Sequence, residues 1–241
     1  MIRINKYLAS LGIASRRKID QMIIEQKIQV NDKFAQMGQQ LDPQKDKIKI
    51  ENKNLDTSKK TKNIYIILNK PAEVLSTCHD NFGRKTILDL VKVQEKVYPV
   101  GRLDYNSQGL ILLTNDGELT NKITHPKNHI PKIYEVLILG KIKPNQIDQL
   151  ENGIELNEGW TQPTKVKIIR HFNPQNFNKT LLQITLFEGK KRQIRKMFAS
   201  LHLYILSLTR VAIGKITLGN LAQGKWRFLT KKEINLLKKA L

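Results

Sequence analysis

The chain has 241 residues, 40% hydrophobic and 26% charged, a soluble-protein balance with enough length for one large domain or two smaller ones. Its 42 lysines and arginines against 21 acidic residues leave a net charge of +21, which points to a polyanionic partner, because cations displace counterions from a phosphate backbone. No apolar run approaches a membrane span, the first residues lack a signal-peptide core, and the single cysteine, Cys78, excludes an internal disulfide framework. The expected address is the reducing cytoplasm, with no membrane partner.

In chain order, Ile4, Tyr7, Leu8 and Leu11 follow helical spacing and stop at Gly12. Ser15 can cap a second helix whose apolar stripe is Ile19, Met22 and Ile23. Arg16, Arg17 and Lys18 fill its first turn, the end where the helix dipole disfavours cations, so a need other than helix stability is indicated. Residues 27–33 and 47–50 alternate as strands. Residues 51–63 are almost wholly polar, a linker composition. Beyond them the run 64–68 reads as a buried strand, and strands are predicted near 132–139, 164–169, 180–187 and 205–213. Helices are predicted at 86–92, 144–151 and 191–201, with a last one opened by the capping box Thr230 to Glu233. Strands and helices without strict alternation argue an α+β fold.

Three constellations stand out. In Gly101-Arg102-Leu103-Asp104, the arginine and the aspartate lie two apart and precede the apolar run Leu110 to Leu113, so a carboxylate and a guanidinium could share one side of a loop against a rigid strand. The bland alternative is an Asx-turn, and spacing alone favours it. Tyr134, in a predicted strand, is a core aromatic or a platform for a nucleobase. Lys190, Lys191, Arg192 and Arg195 crowd the start of a helix after Gly189, as solvated charge or as a phosphate-facing surface, and the net charge favours the latter. The five histidines are scattered and no metal site is expected. No phosphate-binding glycine loop or dinucleotide fingerprint occurs.

Together these segments resemble the bacterial-type ribosomal RNA pseudouridine synthases over nearly the whole chain. Asn5 to Ala9, Gly12 to Arg17 and Ile28 to Asn31 are similar to an S4 RNA-binding domain. Leu68-Asn69-Lys70-Pro71, Gly101 to Asp104, Thr114 to Leu119, His125-Pro126, Lys132-Ile133-Tyr134, Glu188-Gly189, Arg192-Gln193-Ile194-Arg195 and Gly224-Lys225-Trp226 are similar to the catalytic domain. The resemblance implies an S4 module at 1–50, a polar linker at 51–63 and a catalytic domain at 64–241, whose mixed, largely antiparallel sheet is flanked by helices. It implies that Asp104 drives isomerisation of uridine in ribosomal RNA, as nucleophile or as base, without metal or other cofactor. Arg195 is then expected within salt-bridge reach of Asp104, holding it ionised, with Tyr134 stacking on the base and Ile194 as an apolar wall. Arg102 is expected to position the flipped nucleotide. Arg3, Lys6, Ser15, Arg16, Arg17, Lys18, Lys190, Lys191 and Arg192 are expected to bind RNA.

Where the family often carries arginine and asparagine, this chain has Lys190 and Lys191, and Lys196 replaces a second arginine; charge is kept but the bidentate fork is not. The substrate is expected to be large-subunit RNA, free or in a pre-ribosomal particle, and the protein a monomer. Alternatives are a small-subunit enzyme or a non-catalytic assembly factor; a DNA-binding regulator would need a recognition helix that the sequence does not offer.

Overall fold

The computed structural model describes residues 1–56, 62–173 and 178–239. The chain divides into two compact units, Met1–Asn63 with Asn115–Gly117, and Ile64–Thr114 with Glu118–Leu241.

The first unit contains β1 (Ile2–Arg3), α1 (Ile4–Ser10), α2 (Arg16–Ile24), β2 (Ile28–Val30), β3 (Lys33–Phe34), β4 (Gln40–Leu41), β5 (Ile48–Ile50) and β6 (Lys53–Asn54). Ile4 and Leu8 of α1 meet Ile19 and Ile23 of α2 over Ile28, Val30 and Ile48 of the sheet β3-β2-β5-β6. The Ser15 hydroxyl accepts from the Lys18 backbone N–H at 3.2 Å, the cap that the sequence predicts. β6 pairs with β5 inside the stretch read as linker from its polarity. Residues 57–61 of that expected linker, and residues 240 and 241 of the expected catalytic domain, lie outside the described residues.

The second unit holds β7 (Tyr65–Lys70), α3 (Ile87–Leu90), β8 (Tyr98–Val100), β9 (Gln108–Thr114), α4 (Gly117–Thr124), β10 (Lys132–Leu139), α5 (Pro144–Asn152), β11 (Glu155–Leu156), β12 (Gly159–Trp160), β13 (Lys165–Phe172), β14 (Lys179–Leu186), α6 (Gln193–Ser200), β15 (Ile205–Ile213), β16 (Ile216–Thr217), β17 (Trp226–Phe228) and α7 (Lys231–Lys239). Its main sheet runs β13-β14-β10-β15-β9-β7-β17, with β16 on β15 and β8 on β9. The pairings are antiparallel except that of β15 with β9, so the α+β fold with a mixed, largely antiparallel sheet and flanking helices is what forms.

β7 and β9 read as unbroken apolar runs because both of their faces are covered. Ile67, Leu110 and Leu112 face Leu119, Ile123 and Leu237, while Ile66, Leu68, Ile111 and Leu113 face Val74, Ile87 and Leu103. In β14 only one face is covered: Leu182, Ile184 and Leu186 pack under Ile194, Met197 and Phe198 of α6, and the strand alternates accordingly. Thr230 and Glu233 close the predicted capping box at the start of α7.

The parallel pairing joins the two halves of the sheet through Thr209 with Gln108 and Arg210 with Gly109. Gly109 has φ +102°, and a Cβ there would lie 2.3 Å from the Arg210 carbonyl oxygen. Gly109→Ala is therefore expected to destabilise the protein by roughly 3 kcal/mol or more through backbone strain and a forced separation of the strands. Urea unfolding measures this, and a loss below about 1 kcal/mol would contradict the close approach.

Candidate active site

The loop from Gly101 to Ser107 carries Asp104, and both neighbours of the aspartate are tied down. The Leu103 backbone N–H donates to the Ser76 hydroxyl at 3.1 Å, and that hydroxyl donates back to the Leu103 carbonyl at 2.9 Å. The Leu103 side chain is buried against β7 and β9, which contributes about 2 kcal/mol of hydrophobic anchoring. On the other side, the Tyr105 carbonyl accepts from the Glu73 backbone N–H at 2.8 Å. The loop closes through the Ser107 N–H on the Asp104 carbonyl at 3.0 Å. A turn thus exists, but it uses the main chain of Asp104 and leaves its half-buried carboxylate facing a cleft.

Beneath this loop lies Lys70, at the end of β7 and 0% exposed. Its ammonium donates to the carbonyls of Pro71 and Val74 at 2.8 Å and of Tyr105 at 3.4 Å, so its three protons each meet an oxygen. Burial pushes its pKa down to about 8; attraction to Asp104 opposes that shift and repulsion from Arg210 adds to it. The lysine fixes the aspartate's loop and sets a positive charge under it.

The cleft has a volume of about 340 Å³ and lies wholly within the second unit. It brings together Arg102, Asp104, Tyr134, Lys190, Lys191, Arg192, Ile194 and Arg195. Seven cationic side chains line it against the carboxylates of Asp104 and Glu188, so it favours an anionic ligand. Tyr134 stands on β10, half-buried, and Ile194 is buried at the start of α6. Arg102 is exposed on the loop.

The expected salt bridge is not formed. Arg195 Nη2 donates instead to the Asn106 carbonyl at 2.9 Å, on the far shoulder of the Asp104 turn. Burial lowers the arginine's pKa and attraction to Asp104 opposes it, so the two charges interact through space rather than as a contact pair. The guanidinium holds the loop by its main chain, which leaves the carboxylate open to the cleft. Lys190, expected to meet RNA, has its ammonium on the carbonyls of Gly159 and Trp160, at 3.3 and 2.6 Å. Lys191 and Arg192 are exposed at the rim, Arg192 in the left-handed region at φ 54° just before α6. Backbone strain of this kind is commonest at functional sites.

The remaining expected RNA contacts, Arg3, Lys6, Ser15, Arg16, Arg17 and Lys18, are exposed in the first unit, on and beside α1 and α2. Ser15 is occupied as the helix cap, and Arg16 donates to the Asn5 side-chain oxygen at 3.4 Å. Among the described residues no group of three or more His, Cys, Asp or Glu side chains could hold a metal ion, and no helix is long and apolar enough to cross a membrane.

Comparison with known families matches residues 64–200 to RNA pseudouridylate synthase and residues 2–45 to the S4 domain. The chain belongs to the RNA pseudouridylate synthase family. Over its full length it is 40% identical to an uncharacterized RNA pseudouridine synthase of Aquifex aeolicus, 95% of which is covered. It is 36% identical to ribosomal large subunit pseudouridine synthase B of Bacillus subtilis, over 99% of this chain and 96% of that protein. A crystal structure of a pseudouridylate synthase matches with a TM-score of 0.68 and 29% identity, covering 98% of this chain and 100% of that one. The enzyme class that the sequence implies, a pseudouridine synthase with an S4 domain, therefore stands.

Lys70 and Gln193 stand within the motifs, whose resemblance implies no task for them. Gln193 is buried and bridges the loop before α6, donating to Glu188 at 2.6 Å and accepting from the Lys190 N–H at 3.1 Å. Arg210 and Ser107, both buried and lining the cleft, have no role in the sequence reading. A lone cation inside an apolar strand, as in Leu208-Thr209-Arg210-Val211, was the available signal for Arg210.

The Lys70 shift has a measurable consequence. Its pKa is lower in the fold than in the unfolded chain, so between about pH 8 and 10.5 the unfolded state binds the proton more tightly and stability rises with pH. Below pH 8 both states are protonated and the penalty of burying the charge is fully present. The stability difference between wild type and Lys70→Met is expected to shift toward wild type by up to about 3 kcal/mol from pH 7.5 to 10.5 in urea unfolding. A difference that is flat with pH would contradict this.

Proposed function

We propose that the protein isomerises a specific uridine to pseudouridine in large-subunit ribosomal RNA, with Asp104 as the reacting carboxylate. The carrying observation is the aspartate's placement: its main chain is clamped on both sides while its side chain is left open to a cationic cleft beside Tyr134. A ligand with phosphates and a flat base suits that cleft, with the ring of Tyr134 for stacking and Ile194 as an apolar wall. In the reaction the bond between ribose C1′ and uracil N1 breaks, the base turns, and C1′ bonds to C5. The C5 hydrogen leaves as a proton and N1 takes one up, so no atom is gained or lost overall and no cosubstrate is required. Asp104 acts at the ribose, attacking C1′ or taking a ribose proton, and in either case must be ionised and unpaired at the start. The missing contact pair with Arg195 suits that requirement. Arg195 and Lys70 supply attraction from behind the loop, and Arg102 at the mouth positions the extruded nucleotide.

Large-subunit RNA is favoured because the Bacillus subtilis relative, matched over nearly its full length, is named for that subunit. Residues 1–50 act as an S4 module joined through 51–63 to the catalytic domain at 64–241, and the protein works as a cytoplasmic monomer on free RNA or on an assembling particle. The exposed cations Arg16, Arg17 and Lys18, at a helix end where they oppose the dipole, support phosphate binding by that module.

Incubation of the purified protein with unmodified ribosomal RNA, followed by carbodiimide-stop primer extension, is expected to give one new stop on large-subunit RNA and none after Asp104→Asn. A stop confined to small-subunit RNA would contradict the substrate, and a stop that persists in the variant would contradict the site. Replacing Arg16 and Arg17 together by alanine is expected to weaken RNA binding and to lower the slope of log K against log salt by about 1 to 2. Unchanged affinity in a salt titration would contradict an RNA-binding role for that helix end.

A further inference from the structure

Arg210 is 4% exposed, and its Nε donates to the Leu110 carbonyl at 2.7 Å, which locks the guanidinium against β9. Its Nη2 is buried and has no hydrogen-bond partner, although Arg210 lines the cleft. The Ser107 hydroxyl, also lining the cleft, is likewise buried without a partner. Leaving such donors unmade costs about 1–3 kcal/mol each, more for a charged one, so two at one site call for a ligand that satisfies them. Arg210 lies directly across from Tyr134 in the register of β15 and β10, so the two side chains leave the sheet on the same face. Lys132, two residues before Tyr134, reaches the same cleft; burial lowers its pKa, and repulsion from Arg210 lowers it further. Neither carboxylate of the cleft pairs with Arg210: Glu188 accepts from Gln162 and Gln193, and the charges that act on Asp104 through space are Lys70 and Arg195.

We propose that Arg210, helped by Lys132 and Ser107, forms an oxyanion subsite beside Tyr134 that binds the carbonyl oxygens of the target uracil and stabilises the base once it is detached. The proposal rests on the pseudouridine synthase reading. When the C1′–N1 bond breaks, its electron pair stays with the base, giving a uracil anion whose charge spreads to O2 and O4. That happens whether Asp104 attacks C1′ or removes a ribose proton, so the subsite is needed on either route. A rigid cationic donor in a partly desolvated cleft meets developing charge without reorganising. It also keeps the free base from escaping while C5 turns toward C1′; the charge is discharged when C5 bonds to C1′, after which C5 loses its proton and N1 takes one up.

The test is single-turnover release of tritium from target RNA carrying [5-3H]uridine, with RNA affinity measured alongside. Arg210→Gln is expected to lower the rate at saturating protein by about 100-fold or more while RNA affinity changes by less than about threefold. Arg210→Lys, which keeps the charge, is expected to recover at least about tenfold of that loss. Lys132→Gln is half-exposed, so it tests the subsite without disturbing the core, and is expected to lower the rate by about tenfold with an unchanged melting temperature. If Arg210→Gln fails to fold, the other two variants decide. Wild-type rates in both Arg210→Lys and Lys132→Gln would overturn the proposal. Weaker RNA binding with a lower salt slope and an unchanged saturating rate would also overturn it, marking a phosphate contact instead. If the wild-type protein releases no tritium from any ribosomal RNA, the functional reading fails first; if wild type is active and the variants match it, only the subsite fails.

Discussion

Gly109 and Arg210 meet where the two halves of the main sheet are joined in parallel, and the cleft depends on that junction. On one side, β9 leads back through Ser107 to Asp104; on the other, β15 places Arg210 beside Tyr134 of β10. The approach is close enough that no Cβ fits at position 109. Two further bonds fasten the junction, from Gln108 Nε2 to Thr209 Oγ1 at 3.0 Å and from Arg210 Nε to the Leu110 carbonyl. A residue from the first half of the catalytic chain and one from its end thus come to share one small space, held by backbone geometry rather than by attraction between the functional groups themselves.

Charge within the cleft follows a similar logic. Cations outnumber carboxylates, yet none of them holds the Asp104 carboxylate in a contact pair. Lys70 and Arg195 bond carbonyl oxygens of the Asp104 loop, so they position it mechanically and act on the carboxylate through space. A direct ion pair would have engaged the aspartate's lone pairs in the guanidinium fork. Holding charge near a carboxylate without bonding it is a form of preorganisation, and it takes hydrogen-bonded main chain on both sides of the residue to maintain it.

Much of this was legible in the sequence, for identifiable reasons. Runs such as Ile64 to Leu68 and Leu110 to Leu113 read as buried strands because both faces are covered, and Ser15 and Thr230 announced their helices because capping is local chemistry. The motifs mark Asp104 and Tyr134, and both line the cleft. Burial that depends on distant segments was not legible: Lys70 becomes an internal ammonium only because the loops at 71–74 and 105 wrap it. Polarity misled at Lys53–Asn54, whose side chains are exposed while their main chain pairs with β5. The Asp104–Arg195 contact failed for a comparable reason: opposite charges in two motifs imply proximity, but the Asn106 carbonyl competes for the guanidinium, and no sequence pattern reports a backbone acceptor.

The most direct test of this account is a crystal structure of the Asp104→Asn protein with an RNA containing its target uridine. The extruded base is expected against Tyr134, its carbonyl oxygens toward Arg210, and C1′ within about 3.5 Å of the residue-104 side chain, the separation of a near-attack arrangement. A target uridine that stays stacked in its RNA, or a base bound with its ribose turned away from residue 104, would contradict it.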